Sequence, residues 1–176
     1  MGHLATLLLA PLGALILLAG PSYSQREPAA EHAEAPAVQE IAVIVHPKNP
    51  VTNLSLAELR SILKLEKQFW PNGRRVVLYL PPSRSVENEI LLDKIYRMPN
   101  ESLQKYWMGK LFSNEIPAKP SYAPNAKAAG SRVKESEGAI AVVLASEVPE
   151  GVRVLAIGDS RPGDQGYTLS TASNNP

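Results

Sequence analysis

The residues best suited to chemistry in this sequence are Ser83, Arg84 and Ser85, which end one apolar run and open an amphipathic one. A helix that begins here would present free backbone N–H groups and a partial positive charge, and both attract oxyanions. A guanidinium beside them can hold a phosphate or carboxylate through two parallel hydrogen bonds. The three residues therefore predict an anion pocket; the alternative is that a serine only caps the helix while Arg84 faces water.

The sequence contains few residues suited to catalysis or metal binding. It has no cysteine, and His46 is the only histidine within the region that reads as a folded domain, where an ordinary turn histidine is the simpler interpretation. No glycine-rich loop of the nucleotide-binding type occurs. The carboxylates lie on predicted helix surfaces rather than in metal-binding clusters, and the pair Glu89 and Asp93, four residues apart, reads as surface charge; the set is Glu58, Glu66, Glu87, Glu89 and Asp93. We therefore expect a non-enzymatic protein without a metal or cofactor.

The charge balance excludes a further class of partner. The chain has 18 Lys and Arg against 17 Asp and Glu, so its formal net charge is +1. Binding to a phosphate backbone needs a clustered excess of positive charge. We therefore expect no nucleic-acid partner.

The elements that must position the anion pocket are short strands alternating with amphipathic helices. Ile41–Val45 is a continuous β-branched run, which is typical of a strand covered on both faces. Ser55 and Glu58 form a capping box that begins a helix reaching about Leu65. Arg75–Leu80 predicts a second strand, and the predicted anion pocket follows it directly.

The second half of the domain continues this alternation. A helix is expected to begin at Asn100 as its cap, and a more polar helix covers Asn125–Glu135. Gly138–Leu144 and Val152–Ile157 read as the last two strands. Strands separated by helices predict an α/β domain with a mainly parallel sheet.

The amino-terminal segment reads as an export signal. Leu4–Ala19 is nearly all apolar, and Ser22 and Ser24 suit the cleavage positions, so we place cleavage after Ser24. No Lys or Arg precedes the apolar run, and an uncleaved anchor or a buried core helix are the alternatives. The predicted organisation is a signal peptide at 1–24, a flexible tether at 25–39, a domain at 40–169 and a disordered tail at 170–176. This predicts a periplasmic or secreted protein that keeps no stable membrane span after cleavage, and the lack of cysteine excludes a lipoprotein.

The order of several segments resembles the second lobe of the periplasmic phosphate-binding proteins of ABC transporters. The resemblance covers residues from Ile41 to Leu169 and is carried by Ile41–Val51, Leu54–Arg60, Trp70–Val77, Tyr106–Trp107, Glu137–Ala141 and Gly158–Leu169. It implies an α/β fold of type II periplasmic-binding-protein-like architecture. The expected form is a single three-layer lobe with a mainly parallel sheet of about four to five strands. It also implies phosphate or another oxyanion as ligand.

The sequence departs from the family's anion loop. The family arginine falls at Leu80, and its Gly-Ser-Gly-Thr motif falls at Ser83–Val86. The Gly-Tyr pair expected after Ile140 is Ala141-Val142, while Arg84 brings back a positive charge. We therefore expect weak phosphate or oxyanion binding at a helix N-terminus, in a half-site where the anion stays in contact with water.

The alternative is a ligand-free periplasmic interaction or accessory module. Its partner would be an envelope protein or a transporter component. Its signature would be an exposed apolar patch at the carboxyl edge of the sheet, where Leu80 and Val86 replace polar family residues.

Overall fold

The structure is a computed structural model that describes Gly2 and residues 37–172. Apart from Gly2, the predicted signal peptide lies outside the described residues, as do most of the predicted tether and the last four residues of the predicted tail. Gln39 and Thr171, which the sequence placed in the tether and the tail, hydrogen-bond each other: the Gln39 N–H donates to Thr171 Oγ1 at 2.9 Å, and the Thr171 N–H donates to the Gln39 carbonyl at 2.8 Å.

Seven short strands occur along the described chain. They are β1 (Ile41–Val45), β2 (Asn53–Leu54), β3 (Val77–Leu80), β4 (Ser121–Tyr122), β5 (Ala139–Leu144), β6 (Arg153–Val154) and β7 (Ala156–Ile157). Five of them form the main sheet in the order β4-β3-β5-β1-β6, and β2 pairs with β7 in a second, two-stranded sheet. The predicted last strand is therefore split between the two sheets.

The main sheet is mixed, with one strand reversed. β3 runs parallel to both β4 and β5, whereas β1 runs antiparallel to its neighbours β5 and β6. Four of the five strands thus point the same way, which confirms the predicted α/β lobe with a mainly parallel sheet. Strand alternation along a sequence does not reveal which strands become neighbours, so the reversal of β1 was not predicted.

Helices cover both faces of the main sheet. They are α1 (Leu56–Leu63), α2 (Val86–Ile90), a π-helical continuation of α2 (Leu91–Tyr96), α3 (Asn100–Phe112) and α4 (Ala126–Glu135). Side chains alternate between the faces of a strand. Ile41, Val43 and Val45 therefore pack with α1, α2 and α3 on one face, while Ala42 and Ile44 pack with α4 on the other. The result is the predicted three-layer lobe.

Local signals placed most helix starts correctly. The Ser55 N–H donates to Glu58 Oε2 at 3.0 Å, and the Glu58 N–H donates to Ser55 Oγ at 3.2 Å, which confirms the capping box. Asn125 caps α4. The predicted cap at Asn100 was wrong, because Pro99 occupies the N-cap position and Asn100 is the first helical residue. Within residues 37–172, no helix has the length and apolar character needed to cross a membrane.

Candidate functional site

The predicted anion pocket lies where several strands end together. β3 pairs in parallel with β4 and β5, so their carboxyl ends meet at one end of the sheet. The reversed strand β1 starts there, since Ile41 pairs with Leu144. In open α/β sheets, ligands bind beyond the carboxyl ends of the strands. We name this end the carboxyl edge and define it as residues 38–41, 80–85, 122–125 and 144–147.

Two residues hold the loop after β3 in one shape. Ser85 is the N-cap of α2, and its Oγ accepts a hydrogen bond from the Asn88 N–H at 3.3 Å. The buried Asn88 side chain turns back and donates from Nδ2 to the Ser83 carbonyl at 2.9 Å. The Ser85 N–H donates to the Pro82 carbonyl at 3.0 Å. The Ser85 hydroxyl proton remains available, because the capping bond uses Oγ only as an acceptor.

Ser83 and Arg84 are exposed, and Ser85 is half-buried. The guanidinium of Arg84 makes no hydrogen bond or ion pair with any residue in the range 37–172. The structure therefore brings together the two hydroxyls and the free cation that the sequence singled out, beside the first turn of a helix.

Acidic side chains weaken the attraction of this helix for anions. Glu87 and Glu89 both lie in the first turn of α2. Carboxylates at this position already complement the partial positive charge of the helix N-terminus, and they repel an incoming anion. The two carboxylates therefore compensate part of the positive charge of the helix N-terminus, and Arg84 supplies the cationic side chain of the loop.

The residues at the positions of the family's arginine and threonine add no polar group to the loop. Leu80, at the position of the family arginine, is only 2% exposed and belongs to the apolar core. Val86 is half-buried and packs against the same core. Both side chains contribute to folding.

His46, the only histidine in the domain, lies at the opposite end of the sheet. It follows Val45, which pairs with Ile140 near the start of β5. Its Nδ1 accepts a hydrogen bond from the Lys48 N–H at 3.1 Å, which stabilises the turn after β1. Among the side chains of residues 37–172, no three His, Asp or Glu lie close enough together to hold a metal ion.

Sequence reasoning missed a second polar region. A cavity of about 830 Å³ lies between α1 and the π-helical segment, and its lining includes Arg60, Lys94 and Arg97. The sequence contains no signal for it, because Arg60 lies far along the chain from Lys94 and Arg97 and each of the three reads as an ordinary surface charge. Only the packing of α1 against the π-helical segment brings them together.

Several solved structures share the fold of this chain. A phosphate transport receptor of the ABC type from Vibrio cholerae matches with a TM-score of 0.59 and 14% identity, over 76% of this chain and 54% of that one. PstS from Borrelia burgdorferi matches with a TM-score of 0.58 and 12% identity, over 76% and 55%. A protein named as a phosphate ABC transporter substrate-binding protein from Clostridium perfringens, solved with bound phosphate, matches with a TM-score of 0.56 and 19% identity, over 70% and 47%.

The likeness is one of fold. The chain spans about half the length of these solved structures. No protein-family model matches the sequence, and no curated protein matches it. The substrate-binding-protein fold confirms the architecture that the order of sequence segments implied.

Proposed function

We propose that this chain is an exported, non-enzymatic module of the substrate-binding-protein type that binds phosphate or another oxyanion weakly at the start of α2. The observation that carries the proposal is the free, exposed guanidinium of Arg84 beside a helix start at the carboxyl edge. The fold supports it, because a structure with this fold was solved with phosphate bound.

The loop offers enough donors for one oxyanion. The N–H groups of Val86 and Glu87, at the start of α2, have no acceptor within a helix. The hydroxyls of Ser83 and Ser85 lie just before them, and Arg84 adds a bidentate donor. An anion bound here would replace water on these groups.

The same geometry makes the binding weak. The site is open to water, so each charge-assisted contact is screened. Glu87 and Glu89 add repulsion from the first turn of the helix. We therefore expect an affinity that is useful only at high phosphate concentration or when another protein surface completes the site.

Calorimetric titration with phosphate and sulfate tests the proposal. We expect weak binding that Arg84→Gln lowers about 10-fold, in the range of a charged hydrogen-bonding group. Arg132→Gln is the matched control, because Arg132 is also exposed but lies on α4 with its guanidinium 5.2 Å from the ring centre of Tyr79. Absence of binding to either anion, or equal affinity in Arg84→Gln, would contradict the proposal.

Export is tested separately from binding. The proposal places the mature protein in the periplasm or outside the cell, with its first residue at Gln25. Mass spectrometry of the protein recovered from the periplasmic or secreted fraction would identify the first residue. Recovery of the intact amino terminus in the membrane fraction would instead indicate an uncleaved anchor.

A protein-interaction module is the second candidate. Two apolar side chains are exposed at the carboxyl edge, Val38 at 60% and Tyr122 at 41%. An envelope protein or transporter component that covers them would bury apolar area. Leu80 does not contribute to this surface because it is buried. Specific copurification of one such component that is lost in the double variant Val38→Ser/Tyr122→Ser would favour this candidate, and copurification unaffected by the two changes would count against it.

A further inference from the structure

The cavity between α1 and the π-helical segment combines apolar walls with charged ones. Leu56, Leu92 and Met98 supply apolar walls. The charged side chains that line it are Arg60, Glu89, Asp93, Lys94 and Arg97. We call this cavity the arginine groove. Its volume of about 830 Å³ lies within the range of small-molecule sites.

Arg60 is held in place while part of its hydrogen-bonding capacity stays unused. Its Nη2 donates to the Lys94 carbonyl at 2.8 Å, which ties α1 to the π-helical segment. Its Nε is buried, and within the described chain it has no hydrogen-bond partner. A buried donor without an acceptor is costly. Arg60 itself is only half-buried and lines the groove, so the accessible part of its guanidinium can donate to an oxygen atom of a ligand.

Within residues 37–172, Arg60 forms no ion pair. Burial lowers the pKa of Arg60, and the nearby positive charge of Arg97 lowers it further. Arginine nevertheless stays charged at neutral pH. Both guanidinium groups line the same cavity, so an anion bound between them would relieve their repulsion.

The acidic side chains of the groove do not remove this excess. Asp93 forms an ion pair with its neighbour Lys94, with 2.9 Å between Oδ2 and Nζ. Glu89 is exposed, and within residues 37–172 it has no ion pair. One carboxylate is therefore left against two arginines.

We propose that the arginine groove binds a small organic anion that carries a carboxylate or phosphate group on an apolar body. Arg60 and Arg97 hold the anionic group, and Leu56, Leu92 and Met98 contact the apolar body. Inorganic phosphate would leave these apolar walls in contact with water, so it is a poorer fit. The site uses none of the residues of the loop Ser83–Ser85, so it is independent of the proposed function.

The head group and the apolar body can be tested separately by NMR titration of the full protein. The probes are hexanoate, hexyl phosphate, 1-hexanol and inorganic phosphate. We expect hexanoate or hexyl phosphate to shift the side-chain Nε–H signals of Arg60 and Arg97. Whichever of these two anions binds more tightly identifies the preferred head group, carboxylate or phosphate. 1-Hexanol and inorganic phosphate, which each lack one of the two features, should bind at least about 10-fold more weakly.

Arg97→Gln is the decisive variant, because Arg97 is exposed and makes no side-chain hydrogen bond or ion pair within the described chain. It should weaken binding of the preferred anion about 10-fold. Arg132→Gln, which changes an exposed arginine on α4 outside both candidate sites, should leave that affinity unchanged. Arg60→Met also removes the bond to Lys94, so circular dichroism must first show that it folds. Equal binding of 1-hexanol and the anions, or unchanged affinity in Arg97→Gln, would overturn the proposal.

Discussion

The two ends of β3 and β5 are built differently. At the starting end, the Trp70 indole N–H donates to the Gly138 carbonyl at 2.9 Å, and the Val77 N–H donates to the same oxygen at 2.9 Å. A β-carbon on Gly138 would overlap the Arg75 carbonyl oxygen. At the carboxyl edge, by contrast, Arg84 is exposed and has no ion pair among the described residues.

The starting end of β3 and β5 contributes mainly to stability, whereas the carboxyl edge is accessible for binding. Close backbone approach and buried hydrogen bonds align β3 with β5 at the starting end. At the carboxyl edge the helices begin, so their unpaired N–H groups and the loop side chains remain accessible to a ligand. Substitutions at the two ends should therefore have different effects.

The largest effect is expected from Gly138→Ala. The added methyl group forces the backbone of Gly138 away from Arg75 and strains the hydrogen bond from Trp70. We expect a loss of about 3 kcal/mol in the free energy of unfolding, measured by urea denaturation. Gly109→Ala is the control, because a β-carbon there has no neighbour within 4 Å and alanine favours the helix, so it should stabilise by up to about 1 kcal/mol. A loss below about 1 kcal/mol in Gly138→Ala would show that the starting end tolerates movement.

The second effect concerns alkaline pH at the carboxyl edge. The Tyr167 hydroxyl donates to the Ile41 carbonyl at 2.9 Å. Burial, and then the charge of Glu40, raise the pKa of Tyr167 above its usual value of 10.0. The folded chain thus retains a proton that the unfolded chain loses. The stabilisation is fully present below pH 10 and is lost as pH rises above it.

Tyr167→Phe tests this difference in proton binding. Each such tyrosine makes the free energy of unfolding fall by about 1.4 kcal/mol per pH unit above pH 10. The variant should lack one such contribution, so its stability should fall less steeply than that of the wild type between pH 10 and 11. Parallel slopes in the two proteins would mean that Tyr167 titrates normally.

A smaller effect on stability distinguishes the capping hydroxyl of Ser85 from the exposed hydroxyl of Ser83. Ser85→Ala removes the N-cap of α2 and should cost about 1 kcal/mol in the free energy of unfolding. Ser83→Ala removes an exposed hydroxyl and should change stability by less than about 0.5 kcal/mol. Thermal denaturation measures both. Equal destabilisation by the two changes would show that the loop acts as one structural unit rather than as a cap beside a free hydroxyl.

The smallest effect is a gain in affinity. Glu87→Gln removes one carboxylate from the first turn of α2, so phosphate should bind about 2-fold more tightly in calorimetry. Glu135→Gln, at the far end of α4, is the control and should leave the affinity unchanged. Weaker phosphate binding in Glu87→Gln would place the anion away from the start of α2.

Several local features could be predicted because they depend on residues close in sequence. The capping box of Ser55 and Glu58 and the cap of α2 by Ser85 each join groups on residues that are three apart in the sequence. The strand Ile41–Val45 was recognisable as a continuous apolar run, and the structure buries all five of its side chains. The two-residue strand β4 is too short to give a periodic pattern, and it was not predicted.

The sequence by itself determined the alternation of strands and helices, the helix start beside Arg84 and the shortage of catalytic residues. Tertiary structure decided the reversal of β1 and the approach of Arg60 to Arg97. The physical reason is the distance along the sequence between interacting residues. Caps and periodicity arise from residues that are neighbours within one segment. Strand order and charge clusters depend on which distant segments pack together, and the packing of the whole core determines this.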